Sequence, residues 1–180
     1  MKFNFFVSRR GFTLAELIAV VIIISILSAL ASGSYKRAVE RSRISDGLLA
    51  ATAVMESVNR YYADNFPATN ANYPSISQID VSFANQRACT TPSDHCVKTK
   101  YFETTITKVG SEVYVEAKRF KGATQGAYGI RAYSSDFGSH KTTAPVCVSY
   151  TTTNPDGDTG KDLCISAGYS SCTSGICAKP

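Results

Sequence analysis

Apolar positions along this chain fall into three regimes. From Phe12 to Ala31 they follow one another almost without a break. As a helix that stretch is about 30 Å long at 1.5 Å per residue, which matches the hydrocarbon core of a bilayer. Leu17 to Tyr35 is nineteen residues without a charge. Further on, Ile44, Leu48, Ala51, Met55, Val58 and Tyr62 recur at helical spacing, while Asp46, Glu56, Asn59 and Arg60 lie off that stripe. Ser32-Gly33-Ser34 is a weak point between the two regimes, since Gly and Ser pairs are common sites of bends. Pro67 disfavours helix in the residue before it, which puts the end near Asp64-Asn65. The pattern predicts one helix of about 50 residues, near 78 Å long.

The third regime alternates. In "KYFETTITK" one face carries Phe102, Thr104 and Ile106. In "EVYVEAKRF" Val113, Val115 and Ala117 oppose Glu112, Tyr114, Glu116 and Lys118. "AYGIRAY" sets Tyr128, Ile130 and Ala132 on one side, and "PVCVSY" offers Val146, Val148 and Tyr150. These segments predict three or four antiparallel strands with one face under the helical stripe. Phe66 to Lys100 reads as a connecting loop with at most short elements, and Thr151 to Pro180 as an irregular stapled tail. The fold class is α+β: a long N-terminal helix packed on a small antiparallel sheet, with a disulfide-stapled C-terminal loop.

Charge sharpens this picture. The formal charge is +5 over 180 residues, but from Asp64 onward eleven Lys/Arg face ten Asp/Glu. The basic excess therefore belongs to the N-terminal third, which argues against a polyanion-binding head. All six cysteines lie at or beyond residue 89: Cys89, Cys96, Cys147, Cys164, Cys172 and Cys177. An even count behind a membrane-targeting segment reads as disulfides in an oxidising compartment. C-x6-C and C-x4-C spacings match zinc knuckles poorly. Basic residues flank the span on both sides, so the cysteines orient it, with the C-terminal part on the oxidising side.

Sequence alone allows fifteen pairings of six cysteines. Short closure favours Cys89–Cys96 and Cys172–Cys177, with Cys147–Cys164 pinning the tail to the sheet; the main rival is Cys147–Cys172 with Cys164–Cys177. A signal peptide cut after Ala29-Leu30-Ala31 is the alternative to a span, although the charge-free run is long for one.

One residue does not fit a plain anchor. Glu16 sits one turn into the apolar run, and an acid at the centre of a spanning helix costs about 2.5–3.5 kcal/mol. Such a charge needs a partner.

Gly11-Phe12-Thr13-Leu14-Ala15-Glu16, behind a short basic leader, resembles the signature of type IV pilins and their pseudopilin relatives. The resemblance is close from Arg9 to Arg43 and architectural beyond. It implies cleavage by a prepilin peptidase between Gly11 and Phe12, N-methylation of Phe12, and a role for Glu16 in filament assembly. It also supplies the partner: the α-ammonium created on Phe12 of a neighbouring subunit, or of the same helix four residues away. The implied organisation is a leader at 1–11, a transmembrane and filament-core helix at 12–34, an amphipathic half at 35–65 and a globular head at 66–180. Implied partners are other pilin copies in a helical filament, the peptidase, the inner-membrane assembly machinery and, before assembly, the membrane itself. The chain is then expected at the inner membrane and later in an extracellular pilus. A type II secretion pseudopilin is the nearest alternative, and a minor tip pilin binding DNA or a surface ligand the next. Where the family usually has proline this chain has Gly33, and where it often has glycine this chain has Ser25.

Other candidates for chemistry are weaker. His95 and His140 lack a triad or metal neighbour in sequence and read as solvated loop residues, and no catalytic constellation or cofactor is expected. "NPDGDTGKD" spaces Asn154, Asp156 and Asp158 like a calcium loop, but Thr159 and Ile165 stand where an EF-hand needs Gly and Glu. An ordinary turn is the simpler reading of 154–162. Lys118, Arg119, Lys121 and Arg131 form the one basic cluster of the head and read as a solvated strand end, so nucleic acid is not expected as a partner.

Overall fold

A computed structural model describes residues 11–65, 73–91, 93–140, 144–150 and 159–180. The chain divides into two units, Met1–Arg37 and Ala38–Pro180. Helix α1, Leu14–Asp64, supplies the regular structure of the first and the opening element of the second.

In the first unit every described residue is exposed, including Leu17, Ile22 and Ile26. A helix that is apolar all round belongs in an apolar surrounding. It holds an 18-residue window of mean hydropathy 2.7, long and apolar enough by length and composition to cross a membrane. The helix continues without a break through Ser32-Gly33-Ser34. Ser25 returns its hydroxyl to the Val21 carbonyl at 2.7 Å, so a polar side chain in this run is satisfied within its own helix.

In the second unit the rest of α1 buries one stripe: Glu40, Ile44, Gly47, Ala51, Val54, Met55, Ser57, Val58 and Tyr62. Leu48 is only partly buried. Gly47 enters the stripe because the Phe102 ring occupies the space a side chain would take, with Cε1 only 2.7 Å from where a Cβ would stand.

The stripe lies on seven antiparallel strands: β1 Cys96–Lys98, β2 Phe102–Val109, β3 Glu112–Lys121, β4 Thr124–Tyr133, β5 Val146–Ser149, β6 Ser171–Thr173 and β7 Ile176–Ala178. Their spatial order is β1-β2-β3-β4-β5-β7-β6. Register places Val115 between Ile106 and Ala132, and Ala117 between Thr104 and Ile130, all on the helix-facing side. Tight turns join β2 to β3 and β3 to β4, with Gly110 and Gly122 at φ +59° and +66°, a backbone region that favours glycine.

Three expectations need correction. Among the described residues the sheet has seven strands, not three or four. The described part of the tail is not irregular: Gly160–Ser166 forms helix α2, and β6 and β7 form a hairpin that joins the sheet through β5. And Cys147, rather than Val146 and Val148, faces the core with Ile130 and Cys177, while both valines are buried on the opposite face. The disulfides are Cys89–Cys96, Cys147–Cys164 and Cys172–Cys177. They tie the 89–96 loop closed, α2 to β5, and β6 to β7.

Candidate functional site

The N-terminal motif forms a compact polar knot at the start of α1. Thr13 is the last residue before the helix. Its backbone N–H and its hydroxyl both donate to Glu16 Oε2, each at 2.9 Å. Glu16 N–H donates in return to Thr13 Oγ1 at 3.2 Å. This is a reciprocal capping box, which satisfies amides that a helix start leaves without partners. The carboxylate also sits at the positive end of the helix dipole. Glu16 therefore has a partner within its own chain, supplied by Thr13. The Thr-x-x-Glu spacing just ahead of an apolar run is the sequence signal for this box, and Thr13 joins Glu16 as a functional residue that apolar patterning alone does not single out. Gly11 and Phe12 precede the box, and Phe12 is 89% exposed.

A second polar centre lies between α1 and the sheet, inside the second unit. Arg119 on β3 donates through Nε to Glu40 Oε2 at 3.1 Å and through Nη2 to Oε1 at 3.0 Å. Tyr128 on β4 donates its hydroxyl to Oε2 at 3.0 Å, and Arg43, one turn along α1, bonds Oε1. The remaining Arg119 nitrogen reaches the Tyr101 and Phe120 carbonyls. Burial pushes the Glu40 carboxyl up, but Arg119, then Tyr128 and Arg43, outweigh it and hold the group below its ordinary value. Burial, and then the charge on Glu40, raise the Tyr128 phenol strongly.

This geometry redraws the basic cluster of β3 and β4. Arg119 is buried and spent on Glu40. On the other face Arg131 pairs with Glu116 at 2.9 Å, Lys118 stands 3.7 Å from it, and Tyr150 donates its hydroxyl to it at 3.1 Å. Of the four residues read as a solvated strand end, only Lys121 is exposed and without an acidic partner among the described residues.

Both histidines are also engaged. His95 Nδ1 is 2.8 Å from the Pro74 carbonyl and its ring stacks on Tyr73. His140 Nδ1 lies 2.7 and 2.9 Å from the two Glu112 oxygens, beside Ser139 and over Tyr133. Ser139 and the His140 ring bring the Glu112 carboxyl down to about 2. Asn154, Asp156 and Asp158 lie outside the described residues. Thr159 caps α2 through Asp162, and Ile165 lies within that helix.

Comparison with known proteins bears on the N-terminal motif. The prokaryotic N-terminal methylation motif matches residues 7–32. Over 79 residues the chain is 35% identical to the fimbrial protein EcpC of Eikenella corrodens, covering 43% of this chain and 52% of that one. Over 75 residues it is 32% identical to a fimbrial protein of Neisseria meningitidis serogroup A, covering 41% of this chain and 44% of that one. These matches span about half the length of the relatives concerned. No solved structure matches the chain. A long apolar N-terminal helix, an antiparallel sheet and C-terminal disulfides are consistent with the type IV pilin fold. The matched motif and the two fimbrial relatives support the type IV pilin family as what this chain resembles.

Proposed function

We propose that this chain is a structural subunit of a type IV pilus filament, made as a membrane-inserted prepilin with its head on the oxidising side. The leader is removed after Gly11, Phe12 is methylated, and the mature chain polymerises through its N-terminal helix with copies of itself or with other pilins. A prepilin peptidase and an inner-membrane assembly machinery act on it. The role is structural rather than catalytic.

The observation that carries the reading is the placement of the match. The methylation motif covers the junction at Gly11 and the helix that follows, and that helix exposes its apolar side chains throughout the first unit. Such a surface needs lipid or other helices around it. A new amine on Phe12 would arise beside the Thr13–Glu16 knot, where a carboxylate already stands. In the apolar layer neither charge is tolerated alone, and each neutralises the other. The fimbrial names of the relatives point the same way.

Intact mass of protein sheared from cells tests it. The expected species lacks Met1–Gly11 and carries one extra methyl group. A mature chain starting after Ala31 would make this an ordinary secreted protein and end the reading.

A further inference from the structure

Within the second unit the cations are unevenly placed. The chain enters this unit at Ala38, so Glu40 and Arg43 lie in its first helical turns. Around them gather the ends of three strands. Arg43, Lys100 and Arg119 stand over the Tyr101 ring at 4.7, 5.1 and 5.4 Å from its centroid. Lys98 stands 4.5 Å over Phe120, whose N–H donates to the Tyr101 carbonyl at 2.8 Å. Lys121 follows Phe120 directly. This end of the sheet therefore collects five cations, counting Arg43, Lys98, Lys100, Arg119 and Lys121, against two carboxylates, Glu40 and Glu103. Lys100 and Lys121 are exposed, and no carboxylate among the described residues pairs with either.

We propose that this basic end of the sheet is a docking surface for the phosphate headgroups of anionic phospholipids while the chain is held in a bilayer. The proposal rests on the membrane-inserted reading above. Within its own unit the patch lies around the first helical turns after Ala38, since Arg119 bonds Glu40 and shares the Tyr101 ring with Arg43. Lysines there act as point charges toward phosphate, and each cation near an anionic surface strengthens attraction about fivefold. Single-stranded nucleic acid fits worse, because it needs open ring faces for stacking. Here cations cover Tyr101, and Phe120 is buried.

The test uses the full-length chain in nanodiscs of phosphatidylcholine alone or mixed with phosphatidylglycerol. Amine acylation is then read residue by residue by peptide mass spectrometry. In the mixed discs Lys100 and Lys121 should react about fivefold more slowly at low salt, the protection should fade at high salt, and exposed Lys161 should not change. A chain that enters neither kind of disc would overturn the membrane reading and this proposal with it. Entry into both, with equal reactivity of Lys100 and Lys121, would overturn this proposal alone. Protection in phosphatidylcholine discs that appears only on adding a single-stranded oligonucleotide would hand the surface to nucleic acid. Protection there that grows with the number of chains per disc would hand it to a second copy. Either of these last two results overturns the lipid assignment.

Discussion

Glu40 on the helix and Arg119 on β3, 79 residues apart in sequence, meet through two parallel hydrogen bonds of 3.0 and 3.1 Å at the buried seam between them. A buried pair of this kind adds little over apolar residues of the same shape, but losing one partner strands the other. Arg119→Met should therefore destabilise the chain by about 3–5 kcal/mol in urea unfolding of the detergent-solubilised protein. Adding Glu40→Leu to it should recover most of that loss. A double variant as unstable as the single one would mean that the pair contributes more than charge neutralisation.

The same carboxylate sets a pH dependence. Its folded-state value lies below the ordinary 4.5, so the unfolded chain binds the proton more readily. The stability it adds is fully present above the unfolded value, and is lost as pH falls through the folded one. The gap in stability between the wild type and Glu40→Gln should hence be wide at neutral pH and narrow steadily below about 4.5. Thermal unfolding across the acid range measures it, and a gap independent of pH would remove Glu40 from the account. Glu112 and Asp80, both lowered to about 2, add acid sensitivity of their own, but they are solvent-screened and contribute less.

Gly47 makes an opposite prediction from the usual one for a helix. Gly→Ala in a helix interior ordinarily stabilises by about 1 kcal/mol. At Gly47 the added methyl would stand 2.7 and 2.8 Å from the Phe102 ring, which is itself buried. Overpacking of that kind costs about 1–3 kcal/mol, so Gly47→Ala should lower the melting temperature. Phe102→Leu in the same chain should relieve the overlap and cost less than its effect in the wild type. At Gly33 nothing lies within 4 Å of the new methyl, and the substitution should only stiffen the helix. Amide exchange around residue 33 would register that change.

The contrast between these residues explains what the sequence discloses. Helix α1 is visible from periodicity, and its end from Pro67, because both signals are local. The four longest strands alternate over enough residues to be seen. β6 and β7, at three residues each, have no room for a period, and only pairing with β5 makes them strands. Cys147 faces the core because a disulfide to α2 and the cross-strand neighbours Ile130 and Cys177 turn it there, which no window of sequence contains. The Glu40–Arg119 pair is hidden for the same reason: each member alone looks like surface charge. At the N-terminal site, by contrast, Thr13 and Glu16 lie three residues apart, and their box was open to reading.

Disulfide removal should follow loop length. Cys147–Cys164 closes 17 residues between β5 and α2, against 7 and 5 for the other two. Chain entropy then assigns this bridge the largest effect, about 3 kcal/mol, since the constraint acts chiefly on the unfolded state. Replacing both its cysteines with serine should lower stability more than either other double replacement, as compared by urea midpoints. Equal losses for all three pairs would show that native-state strain, not loop closure, governs their contribution.

The Thr13–Glu16 knot separates two roles that one carboxylate fills. As a helix cap, Glu16 needs only an acceptor oxygen, and glutamine supplies one at the same position in a capping box. As the partner of an amine on Phe12, it needs a full charge. Glu16→Gln should therefore keep the helix start and leave membrane insertion intact, while Glu16→Ala also loses the cap. If charge pairing drives assembly, both variants should insert and be cleaved, yet both should give few sheared filaments. An uncompensated amine buried among helices costs about 3–5 kcal/mol, which is severe for a subunit added one at a time. Insertion itself should improve in Glu16→Ala, because removing an acid from the apolar run helps by up to about 2.5–3.5 kcal/mol, less near the membrane edge. Membrane fractions and filament yields of that variant would thus move in opposite directions. Normal filament yield from Glu16→Gln with loss only in Glu16→Ala would reassign the residue from charge pairing to capping.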